Sequence, residues 1–216
     1  MLLFYITDRT QFPGDENARR GALLARIAEA AHCGVDFIQL REKDLTAREL
    51  EVLACAALRV VRENSPLGND KGQAPRLLIN SRSDVALASG ADGVHLRSND
   101  ISPSEVQKIW AQAGVVAHAL VSVSCHSVAD IARAQSKEAD FAVFAPVFEK
   151  KESPQTNPAG LDELRDACRQ KIPVLALGGL TLENARACLD AGAAGIAGIR
   201  LFQENDIARV VRRLRA

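Results

Sequence analysis

The residues Gln39-Leu40-Arg41-Glu42-Lys43 carry the most chemical information in this sequence. They directly follow the mostly apolar residues 35–38, so charged side chains stand where a buried strand leaves its core. Arginine binds phosphate oxygens through a planar fork, and lysine adds a mobile point charge. The segment therefore predicts a binding site for a polyanion. The alternative is a charged loop that only keeps the strand end soluble.

Further polar side chains follow later apolar runs and could do chemistry beside this segment. Asp100, together with Asn80 and Ser81, could hold Mg²⁺, which takes one or two carboxylates plus phosphate oxygens and water. A solvated aspartate at a helix start is the alternative. His126 is a candidate general acid or base. Its neighbour Cys125 is an unsuitable dyad partner, because adjacent strand residues point to opposite faces.

Two glycine-containing segments near the end of the sequence could bind a phosphate. Gly178-Gly179 follow one apolar run, and Gly198-Ile199-Arg200 end the next. Glycine lets a backbone approach an anion closely, and N–H groups at a helix start face it. Arg200 would supply the countercharge. A simple turn at Gly178-Gly179 is the alternative.

The elements that must position these residues alternate from end to end. Short apolar runs predict eight strands, at 2–7, 37–40, 76–80, 93–96, 116–123, 141–144, 173–177 and 195–199. Thr46 to Glu49 and Ser102 to Glu105 are capping boxes that predict helix starts. Ser127 and Thr181 are further candidate caps, and the last helix buries a stripe of four residues, Ile207, Val210, Val211 and Leu214.

Eight strands, each followed by a helix, predict a single (β/α)8 barrel domain over residues 1–216. Active sites of such barrels lie at the carboxyl ends of the strands, where all the polar segments above are predicted to meet. The long segment 149–159, which includes Lys150, belongs to that face, and the segment 65–75 to the opposite one. The sequence shows no repeat longer than one strand and helix.

Composition excludes several classes of protein. Lys+Arg and Asp+Glu balance at 27 each, so no global charge favours nucleic acid or an acidic membrane surface. No apolar stretch reaches the ~20 residues of a membrane span, and residues 1–9 predict a strand rather than a signal peptide. Five scattered cysteines without a C-x-x-C pair argue against disulfides and structural zinc. We expect a cytoplasmic protein, either a monomer or a homo-oligomer.

The sequence resembles the thiamine phosphate synthase family and the related TenI-type thiazole tautomerases. Matching segments lie at the predicted strand ends along nearly the whole chain: 5–8, 37–44, 77–82, 91–96, 124–127, 146–148, 178–179 and 191–193. The resemblance implies the (β/α)8 barrel and two small-molecule substrates, a hydroxymethylpyrimidine pyrophosphate and a thiazole phosphate.

The resemblance also implies a role for each site residue. Gln39, Arg41 and Lys43 would bind the pyrophosphate, and Asn80 the pyrimidine or its pyrophosphate. Asp100 would hold Mg²⁺, and Ser124 would lie beside the departing pyrophosphate. The remaining substrate-binding residues that the resemblance implies are Lys150, Gly178, Gly179, Ile199 and Arg200. Of these, the glycines and the backbone near Ile199 would bind the thiazole phosphate. The implied catalytic residues are Ser124, His126 and Lys43.

Three departures from the synthase pattern keep a second function open. Ser81 stands where an aspartate is expected, residues 149–153 replace a Thr-x-Thr-Lys element, and Arg200-Leu201 replace a Ser-Ala pair. The lost aspartate at Ser81 and the pair Phe148-Glu149 lean toward a tautomerase, in which His126 would move a proton on the thiazole. The intact segment 39–43 leans toward the synthase, since a tautomerase handles no pyrophosphate. A non-catalytic thiazole- or thiamine-phosphate binder is the third possibility.

Overall fold

The computed structural model describes residues 1–65, 75–149 and 157–216. Eight parallel strands pair in sequence order, and β1 pairs with β8 to close the barrel. The strands are β1 Leu2–Ile6, β2 Phe37–Leu40, β3 Arg76–Asn80, β4 Gly93–Leu96, β5 Leu120–Cys125, β6 Phe141–Phe144, β7 Val174–Ala176 and β8 Gly195–Gly198. The predicted (β/α)8 barrel is therefore confirmed.

Helices surround the strands on the outside. They are α1 Glu16–His32, α2 Ala47–Asn64, α3 Ser83–Ser89, α4 Pro103–Gln112, α5 Val128–Ser136, α6 Gly160–Ala167, α7 Ala185–Asp190, the short α8 Arg200–Gln203 and α9 Ile207–Arg215; a 3-10 turn, Arg9–Gln11, follows β1. Thr46 and Ser102 cap α2 and α4 with the predicted capping boxes. No helix among the described residues is long and apolar enough to cross a membrane.

The start of the fifth strand and one of the predicted helix caps differ from the structure. The fifth strand begins at Leu120, because Val116 is fully exposed and lies outside the sheet. Ser127 caps α5 as predicted. Thr181, in contrast, does not cap α7 directly: its hydroxyl accepts bonds from the backbone of Glu183 and Asn184, one turn before the helix begins.

One local turn motif recurs along the barrel. After α1, α3, α5 and α7 the chain turns through a residue with positive φ; these residues are Gly34, Gly90, Glu138 and Gly192. Two residues after the first three turns, an aspartate carboxylate accepts a bond of 2.7–2.8 Å from a backbone N–H of the preceding strand; these are Asp36, Asp92 and Asp140. Ala194 occupies the fourth position.

The barrel interior is apolar at its base and divided at its mouth. Rings of Phe4, Phe37 and Phe141 pack together, with centroids 4.8–6.0 Å apart. Above them, strands β2 to β5 contribute polar side chains, namely Gln39, Asn80, His95, Ser122 and Ser124. Strands β6 to β8 and β1 contribute apolar ones, including Val143, Leu175, Ala197 and Ile6. The fold therefore presents a polar half and an apolar half to anything bound at the mouth.

Candidate active site

Gln39 and Asn80 form a pair inside the barrel mouth. Gln39 is 1% exposed, and its Nε2 donates to Asn80 Oδ1 at 2.8 Å. Its carbonyl oxygen Oε1 is buried without a hydrogen-bond partner, alone among the buried side-chain polar atoms of the described residues. A buried acceptor without a donor is costly, and an anion cannot supply one. The geometry favours a ligand N–H group at Gln39 rather than the pyrophosphate named for it above.

The side chain of His95 lies in the polar half of the interior. Sequence reasoning missed the importance of this residue. Its two ring nitrogens each lie 2.8 Å from a hydroxyl, Nδ1 from Ser122 and Nε2 from Ser124. Burial lowers the pKa of His95 to about 4, helped by the nearby charge of Arg41. The ring is therefore neutral near pH 7, where it donates to one serine and accepts from the other. His95 thus fixes the position of the Ser124 hydroxyl.

The cationic segment lies at the end of β2, as the sequence predicted. Arg41 is half-buried and close enough to His95 to shift its pKa, whereas Lys43 is exposed at the rim. The backbone N–H of Arg41 donates to the Thr7 hydroxyl at 3.0 Å, which ties the segment to the end of β1. Arg41 therefore lies beside the polar half of the mouth, and Lys43 follows it on the same segment.

Asp100 follows β4 and lies close enough to His95 to affect its pKa, with its side chain 11% exposed. One carboxylate oxygen accepts from the backbone N–H of Arg97 at 2.8 Å, and the other from the Arg97 guanidinium at 3.0 Å. Burial raises the pKa of Asp100, but hydrogen bonds from Ser81 and Arg97 outweigh it, so the pKa lies below its ordinary value. Asp100 is therefore a carboxylate at neutral pH and, with Ser81 beside it, a candidate metal ligand.

The side chains of His126 and Cys125 lie on opposite faces of the strand, as expected for adjacent strand residues. Cys125 is buried in the core between strands and helices, and burial raises the pKa of its thiol to about 12, so it is no nucleophile. His126 is exposed just past β5, on the alternate face that also carries Ser124. Its Nδ1 donates to the carbonyl oxygen of Ala145 at 2.7 Å. In the neutral ring this leaves Nε2 as a proton acceptor.

Gly178 and Gly179 have a structural explanation that the sequence did not reveal. Both have positive φ, 99° and 64°. A Cβ at Gly178 would lie 2.8 Å from Pro146, and one at Gly179 2.5 Å from the carbonyl oxygen of Glu149. The glycines thus allow the β7–α7 connection to pack against the segment after β6. Ile199 and Arg200 lie on the neighbouring connection, where Ile199 precedes α8. Lys150 lies outside the described residues.

Strands β1 and β2 are joined by charged residues that carried no assigned role. The buried residues Arg9 and Glu42 form an ion-pair cluster with the more exposed Glu16 and Asp44. Alternating charge in 41–44 and the Asp8-Arg9 pair after β1 were the available signals. Spacing alone could not show that residues 35 positions apart meet.

The protein is a closed eight-stranded barrel with cations, an anionic carboxylate and paired amides at the carboxyl ends of its strands. These features are typical of an enzyme that acts on phosphorylated small molecules. The family model described as thiamine monophosphate synthase matches residues 3–202. The chain belongs to this family, as its resemblance indicated.

Individual relatives agree with this membership. The thiamine-phosphate synthase of Methanoculleus marisnigri is 35% identical over 99% of this chain and 93% of its own. That of Methanocella arvoryzae is 36% identical over 94% and 91%. Among solved structures, the thiamine phosphate pyrophosphorylase of Pyrococcus furiosus superposes with a TM-score of 0.78 at 29% identity and covers 99% of this chain and 93% of its own.

Proposed function

We propose that this protein is a thiamine-phosphate synthase, a transferase that joins a hydroxymethylpyrimidine pyrophosphate to a thiazole phosphate and releases pyrophosphate. Family membership and the names of the relatives support the reaction. The observation in the structure that best supports this proposal is the half-buried Arg41 close to His95, in a polar half-interior that has an unpaired amide acceptor, with Lys43 two residues further along the chain. A pyrophosphate and an N–H-bearing heterocycle are the two halves of one such substrate.

The chemistry follows from this arrangement. Arg41 and Lys43 stabilise the negative charge that develops on the departing pyrophosphate, which leaves with the electron pair of the broken C–O bond. Gln39 and Asn80 orient the pyrimidine, and Ser124, held by His95, donates to a pyrophosphate oxygen. The thiazole nitrogen then forms the new C–N bond with the pyrimidine methylene. Gly179 and the backbone around Ile199, with Arg200, are proposed to bind the thiazole phosphate.

We propose that Mg²⁺ arrives with the pyrophosphate rather than residing in the protein. Within 1–65, 75–149 and 157–216 no group of three or more His, Cys, Asp or Glu side chains is arranged so that it could hold a metal ion. Mg²⁺ bound to phosphates needs only one or two protein carboxylates. Asp100 fits that requirement, because it is ionised and lies at the mouth with Ser81 beside it. The ion would supply positive charge to the leaving group.

The state of the cysteines is the basis for proposing a cell compartment. All five cysteines are free thiols in the structure. Free thiols are typical of a reducing compartment, and we propose the cytoplasm.

The experiment that tests the function is a coupling assay. Purified protein with both substrates and Mg²⁺ should form thiamine phosphate and release pyrophosphate. Arg41→Ala and Lys43→Ala should each weaken inorganic pyrophosphate binding by about 1.5–3 kcal/mol in calorimetry, since each removes a charge-assisted contact. Arg48→Ala, an exposed arginine at the start of α2, is the matched control and should bind as wild type. Unchanged affinity in both site variants would contradict the pyrophosphate site and support the alternative, a charged loop that only keeps the strand end soluble.

One observation favours a second candidate, a thiazole tautomerase. The Nδ1 donation of His126 to the Ala145 carbonyl leaves Nε2 able to carry a proton. In a tautomerase His126→Gln should cost the 10²–10⁴-fold typical of a lost general acid–base group. In the synthase it should cost less, while Arg41→Ala abolishes coupling. Proton exchange on the thiazole that is lost in His126→Gln and indifferent to Arg41→Ala would move the protein to the tautomerases.

A further inference from the structure

A single buried guanidinium connects the loop after β1 to the loop after β2. The side chain of Arg9 is 4% exposed. Its guanidinium makes a bidentate interaction with Asp44, in which Nη1 and Nη2 donate to the two carboxylate oxygens at 2.7 and 2.8 Å. Nη1 also lies 3.2 Å from Glu42 Oε2, and Nε donates to Glu16 at 2.9 Å. Three carboxylates, two from the loop after β2 and one from α1, therefore share one cation.

The same cluster reaches the cationic segment through its backbone. Glu42 Oε2 also accepts the backbone N–H of Arg9 at 3.0 Å, and its Oε1 accepts the Thr7 hydroxyl at 2.5 Å. Thr7 in turn accepts the backbone N–H of Arg41 at 3.0 Å. Glu42 and Asp44 stand on either side of Lys43 in the sequence. The backbone that carries both candidate pyrophosphate-binding cations is thus fixed on both sides of each.

Charge makes this arrangement necessary for an anion site. Residues 41–44 contain two cations and two carboxylates, which cancel. A flexible loop of that composition would offer a phosphate as much repulsion as attraction. Arg9 pairs with both Glu42 and Asp44 and so turns these two carboxylates toward one partner. We expect this pairing to weaken the repulsion that the two carboxylates exert on a bound anion.

We propose that Arg9 is a positioning residue for pyrophosphate binding: it holds Glu42 and Asp44 away from the anion and thereby aims Arg41 and Lys43 at it. The inference rests on the proposed function for its substrate. Arg9 is too deeply buried to contact the anion itself, and it acts through the segment it holds. Lysine cannot replace it, since an ammonium has no planar fork for Asp44 together with donors for Glu42 and Glu16.

The test compares Arg9→Gln and Arg9→Lys with wild type in calorimetry with inorganic pyrophosphate and Mg²⁺. We expect Arg9→Gln to weaken binding at least about tenfold, and Arg9→Lys to weaken it by a smaller but measurable factor. Arg20→Gln is the matched control, because Arg20 pairs with Glu16 and Glu49 in the same region but does not contact Glu42 or Asp44 in any of the ion pairs described. It should bind as wild type. Equal affinity in wild type, Arg9→Gln and Arg9→Lys would overturn the proposal.

A further variant keeps the proposal falsifiable if Arg9→Gln does not fold. Asp44 is 58% exposed in its side chain, so Asp44→Asn should fold. Removing a carboxylate near an anion site by charge alone should tighten pyrophosphate binding. Loss of the Arg9 fork should instead weaken it, and we expect weakening of about threefold or more. Tighter binding by Asp44→Asn would overturn the positioning role.

Steady-state kinetics separates positioning from general destabilisation and from the function itself. In Arg9→Lys the KM for the pyrimidine pyrophosphate should rise while the KM for the thiazole phosphate stays at the wild-type value. An equal rise in both would contradict the proposal. If wild type binds pyrophosphate but couples nothing, the proposed function fails while the calorimetric comparison still decides the role of Arg9. If wild type does not bind pyrophosphate, the positioning role fails as well.

Discussion

At the scale of single residues, His95 shows how burial selects a protonation state. The ring is enclosed in the barrel and bonded to two serines, Ser122 and Ser124. Desolvation penalises the imidazolium, so the neutral ring persists where an exposed histidine would begin to titrate. A neutral histidine is better suited than a cation to holding a hydroxyl in place beside Arg41, which already supplies positive charge.

This burial makes a prediction for stability against pH. The pKa of His95 falls from 6.5 in an exposed chain to about 4 in the folded protein. The unfolded chain therefore binds more protons between these values, so the stabilisation is fully present above pH 6.5 and is lost as the pH falls toward 4. The loss is on the order of 3 kcal/mol. Urea unfolding at pH 7 and pH 4.5 should show a smaller drop in His95→Asn than in wild type. His32→Asn, an exposed histidine, should show the wild-type drop.

Asp100 makes a second prediction at this scale, for metal dependence. Asp100→Asn should raise the Mg²⁺ concentration for half-maximal coupling by about tenfold, because a charged ligand contact is worth about 1.4 kcal/mol or more. Ser81→Asp should lower that concentration by adding a second carboxylate beside the first. Asp84→Asn, an exposed aspartate paired with Arg82, is the control and should follow the wild-type titration. Identical Mg²⁺ titrations of wild type and Asp100→Asn would rule out the proposed metal contact.

At the scale of elements, a shared turn motif ends α1, α3, α5 and α7. Each turn needs a residue in the left-handed region, where glycine is favoured because it has no Cβ. Three of the four positions have glycine, and Glu138 adopts φ 64° without that advantage. The aspartates after the turns then bond the start of the preceding strand, so one short motif ends a helix and aligns two strands.

The exception in this turn motif makes the third prediction. Glu138→Gly should stabilise the protein by about 0.5–1 kcal/mol, since it relieves the cost of a left-handed residue with a side chain. Glu138 is exposed, so its carboxylate is not buried in the fold. Glu138→Ala should give no gain, because alanine keeps the Cβ. Thermal unfolding of the two variants would decide, and equal melting temperatures would contradict the backbone explanation.

At the scale of the whole molecule, closure of the barrel converts eight separate strand ends into one site. Pairing of β1 with β2 brings Thr7 and Arg9 beside the end of β2, and pairing of β1 with β8 closes the barrel. The in-order sheet places four polar side chains on successive strands, namely Gln39, Asn80, His95 and Ser124. The polar half of the mouth is a contiguous block of four strands rather than a ring. Substrate binding should therefore bridge elements that lie far apart in sequence.

Bridging of this kind makes the fourth prediction. A ligand that binds only the folded state at about 100 times its dissociation constant adds about 2.7 kcal/mol of stability. For a chain of this size that is about 5–11 °C in Tm. Inorganic pyrophosphate with Mg²⁺ should produce this shift in wild type and in Arg48→Ala, and a much smaller one in Arg41→Ala at the same concentration. A wild-type Tm that is indifferent to pyrophosphate would contradict the assignment of the site.

Much of this protein was determined by local sequence. Strand and helix order, the capping boxes at Thr46 and Ser102 and the buried stripe of α9 follow from periodicity and short-range hydrogen bonds. The order of eight strand–helix units fixes the barrel, and the barrel fixes which strand ends face the mouth. Arg41, Lys43 and Asp100 were predicted as site residues on that basis.

Only the tertiary structure decided what each of these residues contacts. It paired Gln39 with Asn80 and left an acceptor unpaired, enclosed His95 between two serines, and joined Arg9 to Asp44 across two loops. It also explained Gly178 and Gly179 by the close approach of another segment. The physical reason is that hydrogen bonds and burial depend on distances between strands, and those distances are set by closure of the sheet rather than by spacing along the chain.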